Sequence, residues 1–116
     1  MTAGFMLPDV YEGSTWEGIN LITLTNRTTN RPINLREADA TMVYRRTGER
    51  HQRLSLGLGS GISIVSDVEG KLRVESQILP LPAGIYFFEL VVQLVNGFRV
   101  PILAGTHQIV RLGVPS

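Results

Sequence analysis

The run from Pro80 to Val110 constrains the fold more than any other part of the chain. Pro80-Leu-Pro-Ala-Gly84 is a turn sequence, Ile85 to Val95 is almost continuously apolar, β-branched or aromatic, and Asn96-Gly97 follows at once. Asn-Gly tolerates positive φ at both central positions of a type I′ turn, whose twist matches that of the strands it joins. Phe98 to Leu103 then reads as the returning strand, Ala104-Gly105 breaks the run, and Thr106 to Arg111 reads as a last strand. Pro101 has no amide hydrogen, so the returning strand is expected at a sheet edge or with a bulge. The spacing predicts an antiparallel β domain organised around this late hairpin.

The remainder repeats the signal. Thr15 to Thr25 predicts a strand carrying Trp16, Ile19, Leu21, Ile22 and Leu24, with Gly18 as a bulge. After a polar turn over Asn26 to Pro32, Ile33-Asn-Leu35 is a brief extended piece. Ala40, Met42 and Tyr44 alternate with Thr41, Val43 and Arg45, a period of two. Leu54 to Leu58, Ile62 to Val65 and Lys71 to Glu75 follow, separated by Gly59-Ser-Gly61 and by a tight turn over Asp67 to Gly70. Seven to nine short strands, with turns about 8–12 residues apart, predict an immunoglobulin-like antiparallel β-sandwich. The expected organisation is an N-terminal arm or edge strand over 1–12, a sandwich over 13–112 and a tail over 113–116. Pro8 in the arm argues against a central strand.

The 116 residues suit one domain whose core closes without staples, and the chain has no cysteine for a disulfide or thiolate metal site. Its formal net charge of +1 argues against non-specific capture of nucleic acid. Of the 11 basic residues all but Lys71 are arginine, whose planar fork suits protein interfaces. No basic region precedes a long apolar stretch, and Ile85 to Val95 is too short to span a bilayer. A soluble chain without a membrane partner is expected.

Chemistry is not announced. His51 and His107 lack the companions that a metal site needs, and each is expected to be solvated or singly hydrogen-bonded. Gly57-Leu-Gly-Ser-Gly61 superficially suggests a phosphate loop or nucleophile elbow, but β-branched Ile62-Ser-Ile-Val follows it where a helix would be required. Asp67 and Glu69 fall short of a calcium site's oxygen count, and Glu12/Glu17 and Glu37/Asp39 lack partners for acid–base work. No catalytic residue, metal or cofactor is assigned. The residues alone point to a small all-β binding or assembly module.

Three features are candidate protein contacts. Phe5, Met6 and Leu7 make the arm too apolar to be freely solvated. Phe87 and Val91 lie on the second face of the Ile85 strand, and a strand apolar on both sides is central or covered by a partner. Arg45, Arg46, Arg50 and Arg53 cluster within nine residues, with no aromatic platform interleaved for nucleic acid.

The order of short motifs adds a resemblance. Gly13-x-x-Trp16, Pro32-Ile-Asn-Leu35, Ala40-Thr-Met-Val-Tyr-Arg45, Gly61-Ile-Ser-Ile64, Leu81-Pro-Ala-Gly-Ile-Tyr86, Phe88-Glu-Leu90, Asn96-Gly97 and Leu103-Ala-Gly105 come in sequence. This resembles a family of tailed-phage virion proteins with an immunoglobulin-like fold, including the N-terminal domains of baseplate upper proteins. Arg36-Glu37 and Glu89 depart from its pattern. The resemblance implies a non-enzymatic structural role in tail, baseplate or neck, and assembly in the host bacterial cytoplasm into a virion. Other virion proteins in a symmetric assembly would be the partners. Capsid decoration and a host-surface or carbohydrate-binding module are the alternatives, and a small enzyme is the outlying one.

Overall fold

The computed structural model describes the backbone of residues 3–111 and the side chains of residues 6–111. Alternation sets the faces of its strands. In β11 (Gly84–Gln93), Tyr86, Phe88, Leu90 and Val92 are buried, while Ile85, Phe87 and Gln93 are exposed. β6 (Asp39–Arg46) lies antiparallel to it in a register that pairs Phe88 with Tyr44, Leu90 with Met42 and Val92 with Ala40. All the inward side chains of the pair therefore point the same way.

Around this pair the chain adds β1 (Ala3–Tyr11), β3 (Ile19–Thr23), β7 (Leu54–Leu58), β8 (Gly61–Ser66), β9 (Lys71–Val74) and β12 (Arg99–Val110). They form one eight-stranded sheet in the order β1-β12-β11-β6-β7-β8-β9-β3. Two small ribbons complete the fold: β2 (Thr15–Trp16) with β10 (Gln77–Ile78), and β4 (Thr25–Asn26) with β5 (Arg31–Pro32). The architecture is an all-β sandwich made by curling the sheet, with no helix among the described residues. Leu7 and Val10 of β1 share one core with Leu56, Ile62, Leu72, Val74 and Ile22 from the sheet's other half. Trp16, Leu35, Leu79 and Leu81 close the gaps. Each large apolar side chain fully buried there is worth about 1.5–3 kcal/mol.

The start of β11 is fixed by its own turn. The Tyr86 hydroxyl donates to the Pro82 carbonyl at 2.6 Å, closing the turn before the strand. This is the tyrosine-corner arrangement of immunoglobulin-type sandwiches.

Several elements differ from the sequence expectations. The N-terminal segment takes the edge-strand form of its expectation, longer than a short arm: β1 is a nine-residue strand at one end of the main sheet, parallel to β12, and Pro8 falls where its register slips between Leu7 and Val10. β12 runs unbroken through Ala104-Gly105, because β11 on one side and β1 on the other pair with it there. Its bulge leaves Ile102 unpaired, next to Pro101 and opposite the step from Leu90 to Val91, one of the two outcomes the proline predicts. The Asn96-Gly97 turn is not type I′, since only Gly97 (φ 90°) has positive φ. Gly97 N donates to Leu94 O and Leu94 N to Phe98 O, both at 2.8 Å, which describes a three-residue loop ending in a glycine bulge.

The expected strand over Thr15 to Thr25 is cut into β2, β3 and β4. Gly18 separates the first two at φ 77°, where a Cβ would run into the Val74 carbonyl. Ile33 to Leu35 is not a strand, and the short pairing falls one residue earlier. β7 and β8 pair in parallel across Gly57–Gly61, because Gly59 (φ 76°) and Gly61 (φ 102°) loop the chain back alongside itself.

Candidate interaction surface

The outward residues of β11 and its neighbours make one continuous sheet face. Register places Met6 beside Thr106, Thr106 beside Phe87, and Phe87 beside Arg45, a row across four strands. The next row runs Gly4, Ala104, Glu89, Val43 and Ser55. Met6 is 79% exposed, Ile85 49% and Phe87 47%. Single exposed apolar residues are ordinary on a protein surface, but neighbours that share a face form a patch. Leu21, Val65, Val68 and Ile78 are exposed too, but they sit outside β1, β6, β11 and β12.

Beside Phe87 the face dips into a shallow groove of about 260 Å³, lined by Val43, Arg45, Arg50, Gln52, Phe87, Phe88 and Glu89. β6 supplies the Val43 floor and the Arg45 wall, and the loop after β6 supplies Arg50 and Gln52. That loop is braced by Arg53, whose Nε and Nη2 donate to the two Glu49 carboxylate oxygens at 2.7 Å each. These bonds hold the Glu49 carboxyl below its ordinary range.

The four arginines therefore do different things. Arg53 braces the loop. Arg46 is half-buried, its guanidinium lying against the open side of Gly84. Arg45 and Arg50 are exposed in the groove, and neither makes an ion pair among the described residues.

Two of the candidate contacts are corrected by burial. Leu7 is 4% exposed, because alternation along β1 sends Met6 outward and Leu7 into the core. Val91 faces outward yet is only 8% exposed. Arg99 Nη2 donates to Glu89 Oε1 at 3.2 Å across the Val91 position, and Thr41, Gln93 and Asp39 wall the rest. The Phe5 side chain lies outside the described residues. Ile85, Val43, Glu89 and Arg99 belong to the face as well: alternation outward from Phe87 reaches Ile85 and Glu89 along β11, whereas Val43 and Arg99 join them only through the cross-strand register.

A second cluster lies inside the core. His107 is fully buried in the middle of β12, and its Nδ1 shares a 2.8 Å hydrogen bond with the Tyr44 hydroxyl. Its ring lies 5.1 Å from that of Trp16 and 5.7 Å from that of Tyr44, centroid to centroid. Nε2 makes no hydrogen bond among the described residues. Burial keeps the imidazole below its ordinary pKa of 6.5, outweighing the nearby Pro8 carbonyl and the Asp9 charge, which favour the proton. Burial likewise pushes the Tyr44 phenol up, so the pair is neutral. This corrects the expectation of a solvated strand-opening histidine only in part, for the ring is singly hydrogen-bonded as expected but lies in the core.

The face can dock a protein surface through Met6, Ile85 and Phe87 and hold it in register through Arg45 and Arg50. No protein-family model matches this chain, and no curated protein matches it.

Proposed function

We propose that the protein is a non-enzymatic structural component of a phage particle, joining other virion proteins in the tail, baseplate or neck. One observation carries the reading: a sheet face on the outside of the sandwich bears Met6, Ile85 and Phe87, with two arginines beside them that make no ion pair among the described residues. A sheet already closed over its core has no internal use for that surface, whereas a docking partner has. The motif order from Gly13 to Val110 supports the choice of a virion as the setting.

The test is direct. Particles assembled in cells expressing this chain are purified and their proteins identified by mass spectrometry. The chain is expected in fixed stoichiometry with the particle's other proteins, and Phe87→Glu should lower its incorporation at least tenfold, on the order of a lost interface hot spot. Intact particles lacking the chain would end the reading.

A carbohydrate-binding role draws less support from the rings. Trp16, Tyr44, Tyr86 and Phe88 are buried, leaving Tyr11, Phe87 and Phe98 as the exposed aromatic residues among those described. Tyr11 is on β1, Phe87 on β11 and Phe98 at the hairpin tip, so they form no shared platform. A glycan array tests that alternative.

A further inference from the structure

We infer that the occupant of the outer face is a second copy of this chain, stacked on it about a two-fold axis that pairs Arg45 with Glu89. The inference deepens the assembly reading and rests on it for one point, that the face is there to be covered.

Four residues at its centre set the geometry. On the antiparallel pair β6–β11, Arg45 is opposite Phe87 and Val43 is opposite Glu89. These positions mark a patch about 5 Å across the strands and 7 Å along them. Arg45 and Glu89 occupy one diagonal, Phe87 and Val43 the other. An isologous interface repeats each contact twice about its axis. With the axis lying in the interface along the Phe87–Val43 diagonal, Phe87 and Val43 pack on their own counterparts. Each Arg45 then meets Glu89 of the other copy.

The charges at those two positions suit the exchange. Arg45 makes no ion pair among the described residues. Glu89 accepts from Arg99 through Oε1, and its Oε2 accepts no hydrogen bond among the described residues. One oxygen is thus held in place while the other is available to a guanidinium arriving from above the sheet. The strands of the two copies would cross steeply, in the orthogonal class of sheet packing.

Area points the same way. Five adjacent strands, β1, β12, β11, β6 and β7, present this face, and β6 and β11 pair over eight positions. At about 4.8 Å per strand and 3.3 Å per residue the face spans roughly 600 Å² in projection, approaching the roughly 800 Å² per partner of a standard interface once its relief is counted. Phe87 and Val43 lie at the centre with Arg45 and Glu89, and Gln52, Arg50, Gln93, Asp39 and Gln108 lie round them as a polar rim.

Sedimentation of the full chain at about 0.1 mM, where even weak pairing registers, should give twice the 12.8 kDa monomer mass. Arg45→Glu alone sets like charges together at both contacts, and so does Glu89→Arg alone. Each should weaken association at least about tenfold. An equimolar mixture of the two variants restores opposite charges at both contacts and should dimerise again, which also shows that each variant folds. A monomeric parent chain, variants that pair as well as the parent, or a mixture that stays monomeric would each overturn the two-fold. None of these results bears on whether the chain is found in particles, so the assembly reading stands or falls on its own test.

Discussion

His107 is the residue at which the interior is most exposed to solution conditions. In the folded chain its pKa lies below 6.5, the ordinary value expected when unfolded. Between those two values the unfolded chain binds a proton that the folded chain does not, so stability falls as pH drops below about 6.5 and is flat above it. A difference of one proton between the two states bounds the slope at about 1.4 kcal/mol per pH unit. Urea unfolding at pH 7.5, 6 and about 5.5 measures it, and His107→Gln, which can still accept from Tyr44, should remove most of the slope in that window. A parent chain equally stable at all three values would show that the ring is open to water. The sequence did not reveal this residue. A lone histidine in a polar-looking run gives no sign of facing inward until the register that places it beside Tyr86 and Leu7 is known.

Among the elements, the hairpin was legible and its turn was not. Alternation in β6, β9 and β11 names the buried side chains, because burying one side of a sheet imposes a period of two. Asn-Gly marks where the chain reverses, but a two-residue and a three-residue loop both accept glycine at positive φ. Gly97→Val should therefore still cost about 1 kcal/mol or more, since a β-branched residue resists φ 90°. A shift in thermal midpoint would register the loss. β1 was harder to read, since its partner lies about a hundred residues away and no local signal encodes so distant a pairing. Leu7 is the test of its attachment. Leu7→Ala should cost about 2–5 kcal/mol and speed amide exchange along β1 more than along β6. Equal protection in both strands would mean that β1 is held by its backbone ladder alone.

The whole molecule is a rod of 57 × 26 × 22 Å. Its Cα radius of gyration of 15.2 Å exceeds the roughly 13.4 Å of a compact chain this long. An elongated body presents long sheet faces, and the outer face of β11 is one of them. That face was partly legible. Phe87 and Val91 lie on the apolar second side of a long strand, but a one-dimensional pattern cannot show that Arg99 reaches across to cover Val91. Nor could it divide the arginine cluster into one brace, Arg53, and two exposed groove residues, Arg45 and Arg50, because that division depends on where Glu49 comes to rest.

The side-by-side run of β1 and β12 also bears on force. Tension applied through Ala3 and Val110 pulls two parallel strands past each other, so their ladder bonds are loaded together and must fail as a group. Pulling instead through Gly84 and Val110 opens the β11–β12 pair from one end, a bond at a time, like a zipper. Forced unfolding is governed by the barrier crossed, so the first attachment should rupture at a clearly higher load in an optical trap or force microscope. Equal rupture forces would mean that the two strands carry no tension between them.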